Sequence, residues 1–320
     1  MLTYTSGGDF TAQVGLYADA VISHMQEYAS SLGNDLMINE LFDVQETTEP
    51  ELAIIGTSAH RNMKKWKGTR SYEDVYDLPK KIISFDEFDL AEQIDRKYLD
   101  DAKIELMKQT GTSLMNSYAR TRDYMCAQFF RNADQSTFTD QDGEAYNWTV
   151  GADGQPVASN THTSTSGYCS TLDNLSILEL TGTNLETLCQ KMITVRDDVD
   201  NPTNYYPRTL MVGPMLRKTA LELIGSDGKP HVTNNEFNVY YGHMRLIVYQ
   251  LYTKQSGKTL DPWCVMDDTA RKDNLKWRDR IKAEMTDTRD FNTMSWSIGV
   301  YTRYAFGTYD FRWGQFSIPA

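Results

Sequence analysis

The chain has 320 residues, 40% hydrophobic and 24% charged, and this ordinary globular composition excludes a wholly disordered or fibrous protein. Acidic side chains (44) outnumber basic ones (32), so the net charge is -12 at neutral pH. Such a charge disfavours an enzyme that binds polynucleotides through their phosphates. The one compact basic cluster runs from Arg61 to Arg70.

The sequence contains no apolar run of about 18 residues and no basic leader with an apolar core in its first 19 residues. It therefore predicts a protein without a membrane span that is made and used in a cytoplasm. The four cysteines lie far apart without a Cys-x-x-Cys pair, which predicts small buried hydrophobes and neither a zinc site nor a disulfide framework. They are Cys126, Cys169, Cys189 and Cys264.

The N-terminal quarter predicts an arm and a hairpin. Apolar residues at roughly helical spacing over residues 14–28 predict an arm helix, and residues 36–42 form a second short apolar segment after the Gly33-Asn34 turn. Residues 53–83 are small, polar and basic, with an alternating exit at Val75, Tyr76, Leu78 and Ile82. We expect a long exposed β-hairpin there, and a solvated basic loop is the alternative.

The next segment is predicted to be mostly helical. Residues 84–91 carry acidic groups near their start, where these favour the helix dipole. A longer helix is predicted over residues 98–132, about 50 Å long at 1.5 Å per residue, with Gly111 marking a bend or break. Its apolar stripe comprises Met107, Leu114, Tyr118, Met125 and Phe129.

The second half predicts alternating strands and helices. Residues 136–171 are rich in turn formers, and a hairpin of Phe138 with residues 148–150 is expected. The Thr183-Asn-Leu-Glu186 spacing predicts a capping box and a helix. Its stripe comprises Leu185, Leu188, Met192 and Val195. Further strands are predicted at residues 209–212, 244–252 and 263–266, with a helix from Pro214 to Ile224.

A long antiparallel strand is predicted near the C-terminus. Apolar residues alternate from 294 to 306, so one face of this strand should be buried, against the long helix. The buried set is Met294, Trp296, Ile298, Val300, Thr302, Tyr304 and Phe306, and Ser295, Ser297, Gly299 and Arg303 occupy the other face.

Catalytic motifs are scarce. The sequence contains no Gly-x-Ser-x-Gly, Walker, Gly-x-Gly-x-x-Gly or His-Glu-x-x-His motif. The isolated histidines His24, His60, His162, His231 and His243 are interpreted as surface or satisfied core residues. The carboxylates Asp197, Asp198 and Asp200, and Asp140 and Asp142, lack the calcium-loop pattern and predict turn chemistry. We therefore predict no catalytic, cofactor-binding or metal-binding residue.

The ordered segments 207–214, 215–224, 263–267 and 301–313 resemble the A domain and closing P-domain strands of tailed-bacteriophage major capsid proteins of the Hong Kong 97 fold type. The stretch from residue 84 to 132 and the Leu-Met-Val-Gly-Pro turn look most like the Mu-like head-subunit branch. The resemblance implies an α+β fold in five parts. These are an N-terminal arm (1–45), an E-loop (46–83), a P domain with a spine helix (84–170), an A domain (171–267) and P-domain return strands (268–320).

The resemblance also implies the function. The chain would be a structural protein and not an enzyme, self-assembling as pentamers and hexamers into the icosahedral head shell around double-stranded DNA, without sequence-specific DNA binding, membrane contact or a cofactor. Portal, scaffold and decoration proteins would be its partners. It would reside in the virion capsid and be assembled in the host bacterial cytoplasm. The alternatives are a tail-tube or decoration protein, or a glycan-acting enzyme with paired carboxylates, which the 12% aromatic content suggests.

An E-loop that reaches over a neighbouring subunit would explain the exposed basic hairpin, because cations around one aromatic anchor suit an acidic partner. The subunit-contact candidates are Lys64, Lys65, Trp66, Lys67 and Arg70. Some family members join an E-loop lysine covalently to an asparagine of a neighbour. Lys64, Lys65 and Lys67 fall in the corresponding region, without an identified asparagine or catalytic glutamate.

Overall fold

A computed structural model describes residues 10–32, 36–55, 60–70, 72, 80–101, 103–162, 172–225, 238–290 and 292–319. The α-helices are α1 (Phe10–Leu32), α2 (Met37–Leu41), α3 (Arg96–Asp100), α4 (Ile104–Arg131), α5 (Gly182–Ile193), α6 (Arg217–Ile224) and α7 (Asp268–Asn274). A 3₁₀ turn covers Pro214–Leu216. Among these described residues, no helix has the length and apolar character needed to cross a membrane.

Thirteen strands are described. They are β1 (Asp43–Glu46), β2 (Glu51–Ile54), β3 (Lys81–Ser84), β4 (Asp86–Asp95), β5 (Phe138–Thr139), β6 (Ala145–Tyr146), β7 (Leu175–Ser176), β8 (Thr209–Val212), β9 (Arg245–Val248), β10 (Trp263–Met266), β11 (Leu275–Asp290), β12 (Ser295–Thr308) and β13 (Gly314–Ser317). Two short hairpins, β2–β3 and β5–β6, accompany two larger sheets.

A four-stranded sheet has the order β1-β11-β12-β4. The long strands β11 and β12 are antiparallel, β4 adds to β12 in antiparallel register, and β1 pairs with β11 in parallel. The predicted alternation is confirmed from residue 296 onward, since Trp296, Ile298 and Val300 are buried on one face. Met294 is the exception, because it lies in the turn before β12 at φ 49° and is 44% exposed.

Two helices cover the buried face of this sheet. Helix α4 spans 28 residues, and its buried residues include four of the five predicted stripe positions, Met107, Leu114, Met125 and Phe129. Helix α1 packs on α4, with Val21 and Met25 fully buried in the same cluster as Trp296. The predicted arm helix is therefore confirmed. The predicted long helix is confirmed from Ile104 onward, and residues 96–100 form the separate helix α3.

A bend or break was expected at Gly111, and a break there is wrong, because α4 continues through this residue. A Cβ at this position would lie 2.7 Å from Cγ of Met25 and 3.4 Å from Cγ1 of Val21. The glycine lets α1 approach the α4 backbone closely, so packing between helices explains the residue that helix propensity alone would disfavour.

The five-stranded sheet has the order β7-β13-β10-β8-β9. Strands β8, β10 and β13 are buried at every residue, which is typical of a sheet covered on both faces. On one face, Leu185, Leu188 and Met192 of α5 join Leu210, Val212 and Trp263 in a cluster. On the other face, Met211, Cys264 and Phe316 join a second cluster. This cluster extends to Phe129 of α4 and to Trp277 and Phe306 of the four-stranded sheet.

The helix predicted over residues 84–91 is wrong, because residues 86–95 form strand β4. Ten consecutive residues pair with β12, from Asp86 opposite Tyr304 to Asp95 opposite Ser295. Phe88 stacks on Tyr304 at 4.7 Å between ring centroids. Acidic residues near a helix start contribute only about 0.3–1 kcal/mol each, and a full ladder beside a long strand outweighs that preference.

Two smaller boundaries also differ from expectation. The hairpin that begins at Phe138 returns at Ala145–Tyr146, not at residues 148–150. The cap of α5 is Thr181, whose side chain accepts a hydrogen bond from the Asn184 backbone N–H, not Thr183. The strands at 209–212 and 263–266 are confirmed. The predicted strand at 244–252 is shorter and covers Arg245–Val248. The helix predicted from Pro214 begins with the 3₁₀ turn.

Candidate subunit-contact surface

The predicted basic hairpin has an ordered base. Strands β2 and β3 pair from Glu51 opposite Ser84 to Ile54 opposite Lys81. Ile54 and Ile83 are buried, and a Cβ on Gly307 would lie within 2.9 Å of both their Cδ1 atoms. The hairpin therefore sits directly on β12. Of the predicted alternating exit, Val75, Tyr76 and Leu78 lie outside the described residues, whereas Ile82 lies in β3 and is 49% exposed.

Lys81 fixes this base to the loop that follows the β5–β6 hairpin. Its Nζ donates to the carbonyl oxygens of Asn147 (2.7 Å) and Val150 (2.6 Å). Burial lowers the pKa of Lys81 to about 8, because desolvation penalises the charged ammonium. The base of the hairpin is thus held by a lysine whose charge is costly to bury.

Residues 60–70, hereafter the basic segment, extend beyond this base without regular secondary structure, and every residue is exposed. All five predicted contact residues lie in this exposed segment: Lys64, Lys65, Trp66, Lys67 and Arg70. Trp66 is 66% exposed and Met63 fully exposed, so the segment presents apolar groups among cations. At its start, the carbonyl of His60 accepts a hydrogen bond from Asn201 Nδ2 at 2.9 Å.

A buried ion pair that sequence reasoning missed connects α4 to the four-stranded sheet. Arg122 donates from Nη1 and Nη2 to the two carboxylate oxygens of Asp279 at 2.8 and 3.0 Å. Burial opposes the charge on Arg122, yet Asp279 outweighs it and the pKa of Arg122 lies above its ordinary value. The available signal was the helical spacing, since Arg122 lies four residues after Tyr118 on the buried stripe and accordingly contacts its hydroxyl.

Two of the carboxylates considered for calcium serve as turn acceptors. Asp140 Oδ1 accepts from the backbone N–H groups of Asp142 and Glu144, and Asp197 Oδ1 accepts from those of Val199 and Asn201. The predicted turn chemistry is confirmed for these two, whereas Asp198 is buried and accepts from Arg312 Nη2 at 2.7 Å. Over the described ranges, no three metal-binding side chains converge.

The histidines and cysteines behave as core or surface groups where they are described. His162 is fully buried, lies 2.6 Å from Asp153 and stacks on Phe311, so it is a satisfied core histidine. Cys126, Cys189 and Cys264 are buried free thiols, and burial raises the pKa of Cys264 to about 12. The expectation of buried cysteines is confirmed for these three. His231 and Cys169 lie outside the described residues.

The fold is similar to several solved capsids. The capsid of the native GTA particle, 10% identical, gives a TM-score of 0.56 over 88% of this chain and 89% of that chain. The capsid of the empty GTA particle gives 0.55 at 10% identity over 89% and 90%. The capsid of Myoviridae Phage XM1 gives 0.50 at 10% identity over 89% and 92%. The predicted α+β fold of Hong Kong 97-like capsid structures is thereby confirmed.

A sequence comparison with curated proteins found no match. A family model described as phage capsid protein matches residues 80–315, which cover well over half of the chain. The match spans the long helix and both large sheets apart from β1 and the last two residues of β13. Consequently the chain belongs to the phage capsid protein family, as a structural subunit of the capsid shell and not an enzyme.

Proposed function

We propose that this chain is the major capsid subunit of a tailed phage, assembling as pentamers and hexamers into an icosahedral head shell that encloses double-stranded DNA. The observation that carries the proposal is the family match over residues 80–315, which includes the long helix packed on the long antiparallel strand pair. The GTA capsid with which the fold aligns was computed with C5 symmetry, which supports rings of five subunits.

Within this family we propose membership of the Hong Kong 97 type and its Mu-like branch. The supporting features are the segment from residue 84 through α4 and the Leu-Met-Val-Gly-Pro transition from β8 into the 3₁₀ turn. The five-part division follows: arm 1–45, E-loop 46–83, P domain 84–170, A domain 171–267 and return strands 268–320. The strand Gly314–Ser317 belongs to the return strands in sequence but pairs with β10, a strand of the A domain. The five parts are therefore consecutive stretches of the chain and not separate units in space.

In this proposal the basic segment is the tip of the E-loop and contacts a neighbouring subunit. Support comes from the exposed tryptophan among exposed cations and from a net charge of -12, which makes acidic partner surfaces abundant. The portal, scaffold and decoration proteins are the further partners proposed. The shell would be assembled in the host bacterial cytoplasm and would hold DNA without reading its sequence.

The experiment is negative-stain electron microscopy with light scattering on the concentrated protein, expressed alone and with candidate scaffold proteins. We expect closed shells or rings of five and six subunits. Stacked rings or tubes would instead indicate a tail component. A subunit that stays monomeric under every condition would contradict the proposal.

A further inference from the structure

A groove of about 390 Å³ lies between strand β4, helix α4 and the turn of the β5–β6 hairpin, a size typical of binding clefts of about 300–1,000 Å³. Its apolar lining includes Leu90, Leu114 and Val300. Five carboxylate residues also line it: Glu87, Asp89, Asp140, Asp142 and Glu144. We refer to it as the acidic groove.

Most of this negative charge is not neutralised by residues that the structure describes. Asp140 is used by its turn, and Glu87 lies 3.7 Å from Arg303. In the part of the chain that the structure describes, Asp89, Asp142 and Glu144 are exposed and make no ion pair. The groove therefore attracts a cationic partner, and burying these carboxylates against an uncharged partner would be costly.

The groove also contains buried polar atoms without a partner. Tyr304 and Arg122 both line it and are 0% and 5% exposed. The Tyr304 hydroxyl and the Arg122 Nε have no hydrogen-bond partner in the described structure. An unsatisfied buried group costs about 1–3 kcal/mol, so a ligand that supplies polar atoms at this depth would be stabilised.

Strand β4 adds a third attractive element. It is the last strand of the four-stranded sheet, and four consecutive residues, 87–90, line the groove. The outer edge of such a strand offers backbone N–H and C=O groups to an extended segment. The groove thus combines an apolar floor, an acidic rim and a strand edge.

We propose that the acidic groove receives the basic segment of a second copy of this chain. Trp66 of the partner copy would pack on Leu90 and Val300, and Lys64, Lys65 and Lys67 would face the rim carboxylates. The match is one of pattern, because an apolar anchor flanked by cations meets an apolar floor flanked by carboxylates. The inference rests on the proposed function, since shell assembly is what brings two copies together.

The occupant comes from a second copy because the chain's own basic segment is held outside the groove at its start. The carbonyl of His60 accepts a hydrogen bond from Asn201, which does not line the groove, and Trp66 remains 66% exposed. An inserted indole would bring an N–H donor toward the Tyr304 hydroxyl, and backbone carbonyls of the segment would suit the Arg122 Nε. Buried tryptophans of this kind often dominate the energy of an interface.

The first test is a charge exchange. The triple variant Lys64→Glu, Lys65→Glu, Lys67→Glu and the triple variant Asp89→Lys, Asp142→Lys, Glu144→Lys should each lower the yield of assembled particles about tenfold. A chain with all six changes should recover assembly, because every contact again joins opposite charges and the net charge returns to -12. If the six-fold variant is as defective as either triple variant, the inference is wrong.

The matched control separates local from global charge. Lys218→Glu, Lys254→Glu and Lys272→Glu change three exposed lysines elsewhere and, like the first triple variant, lower the net charge from -12 to -18, two units for each change. This control should assemble normally. A loss equal to that of the first triple variant would mean that total charge, and not the groove, explains the defect.

The second test locates the contact directly. A photoreactive residue at position 66, in particles made from a mixture of ¹⁴N and ¹⁵N chains, should cross-link to groove peptides of the other isotope, and one at position 72 should not. Cross-links to the same copy, to the five-stranded sheet or to an added decoration protein would overturn the inference. Such a result in normal shells leaves the proposed function intact, whereas failure of wild-type shells to form counts against the proposed function.

Discussion

The two large sheets of this molecule differ in how many of their faces are buried. Strands β8, β10 and β13 of the five-stranded sheet are buried at every position. In the four-stranded sheet, β11 becomes exposed toward its far end, and β4 is exposed at most positions. The five-stranded sheet therefore stabilises the subunit, whereas the four-stranded sheet also keeps surface available for other molecules.

The largest effect is expected from a charge in β10, a fully buried strand of the five-stranded sheet. Val265→Lys would place an unpaired ammonium where Val265 is 0% exposed, at a cost of several kcal/mol. We expect failure to fold, seen as aggregation and rapid proteolysis. The matched change Thr286→Lys, at an exposed site of β11, should stay within about 0.5 kcal/mol of wild type. Equal damage by both would remove the distinction between the sheets.

The buried face of the four-stranded sheet should be nearly as sensitive. Trp296 is fully buried and its indole N–H donates to Asp287 at 3.0 Å. Trp296→Ala should lower the free energy of unfolding by about 3–5 kcal/mol, as large aromatic truncations do. Denaturant unfolding of the subunit measures this. Wild-type-like unfolding would show that this face is not the core it is taken to be.

The Arg122–Asp279 pair should show a comparable loss. Asp279→Ala leaves a buried guanidinium without its carboxylate, and removal of one partner of such a pair typically costs about 3–5 kcal/mol. Glu284→Ala, on the exposed part of the same strand, is the control and should be near neutral. A neutral Asp279→Ala variant, measured by the same unfolding curves, would mean that water reaches the pair.

The base of the basic hairpin predicts a pH dependence. The pKa of Lys81 is about 8 in the folded chain and 10.5 ordinarily, so the folded state loses this proton first. Between these pH values the unfolded chain binds more protons, and the contribution of Lys81 to stability rises with pH. Relative to Lys81→Met, the free energy of unfolding of wild type should rise by up to about 1.4 kcal/mol for each unit of pH between the two pKa values. Paired urea curves from pH 7 to 10 measure this, and a constant difference would contradict it.

The smallest effect on stability is expected at the tip of the hairpin. Trp66→Ala should change the free energy of unfolding by less than about 0.5 kcal/mol, because Trp66 is 66% exposed. Assembly should nevertheless decrease, since an exposed anchor contributes to an interface. Unfolding curves and particle yield separate the two effects. A destabilised subunit would place Trp66 in the core.

Strand β4, residues 86–95, shows where sequence reasoning failed. The pattern of acidic and apolar residues in β4 suits the start of a helix, and only the adjacent β12 makes it a strand. Gly111 is a similar case, since its reason is the side chain of Met25, some 86 residues earlier in the chain. Both misinterpretations arose because the deciding partner is distant in sequence.

The candidate contact residues were predicted from the resemblance, which implies an E-loop, together with a cluster of lysines around a tryptophan that cannot be buried cheaply. The acidic groove could not be predicted in this way. Its carboxylates come from β4 and from the β5–β6 turn, about fifty residues apart. The Arg122 Nε and the Tyr304 hydroxyl, which lack a hydrogen-bond partner in the described structure, come from two further elements. No local pattern brings these groups together.

The sequence by itself determined the long helix, the alternating strand β12, the buried strands β8 and β10 and the exposed basic segment, because each follows from local periodicity and hydrophobicity. The tertiary structure decided which strand completes the sheet, how closely α1 approaches α4, which charges are paired inside and where a groove opens. These features depend on contacts between residues far apart in the chain, whose packing energies exceed the local preferences.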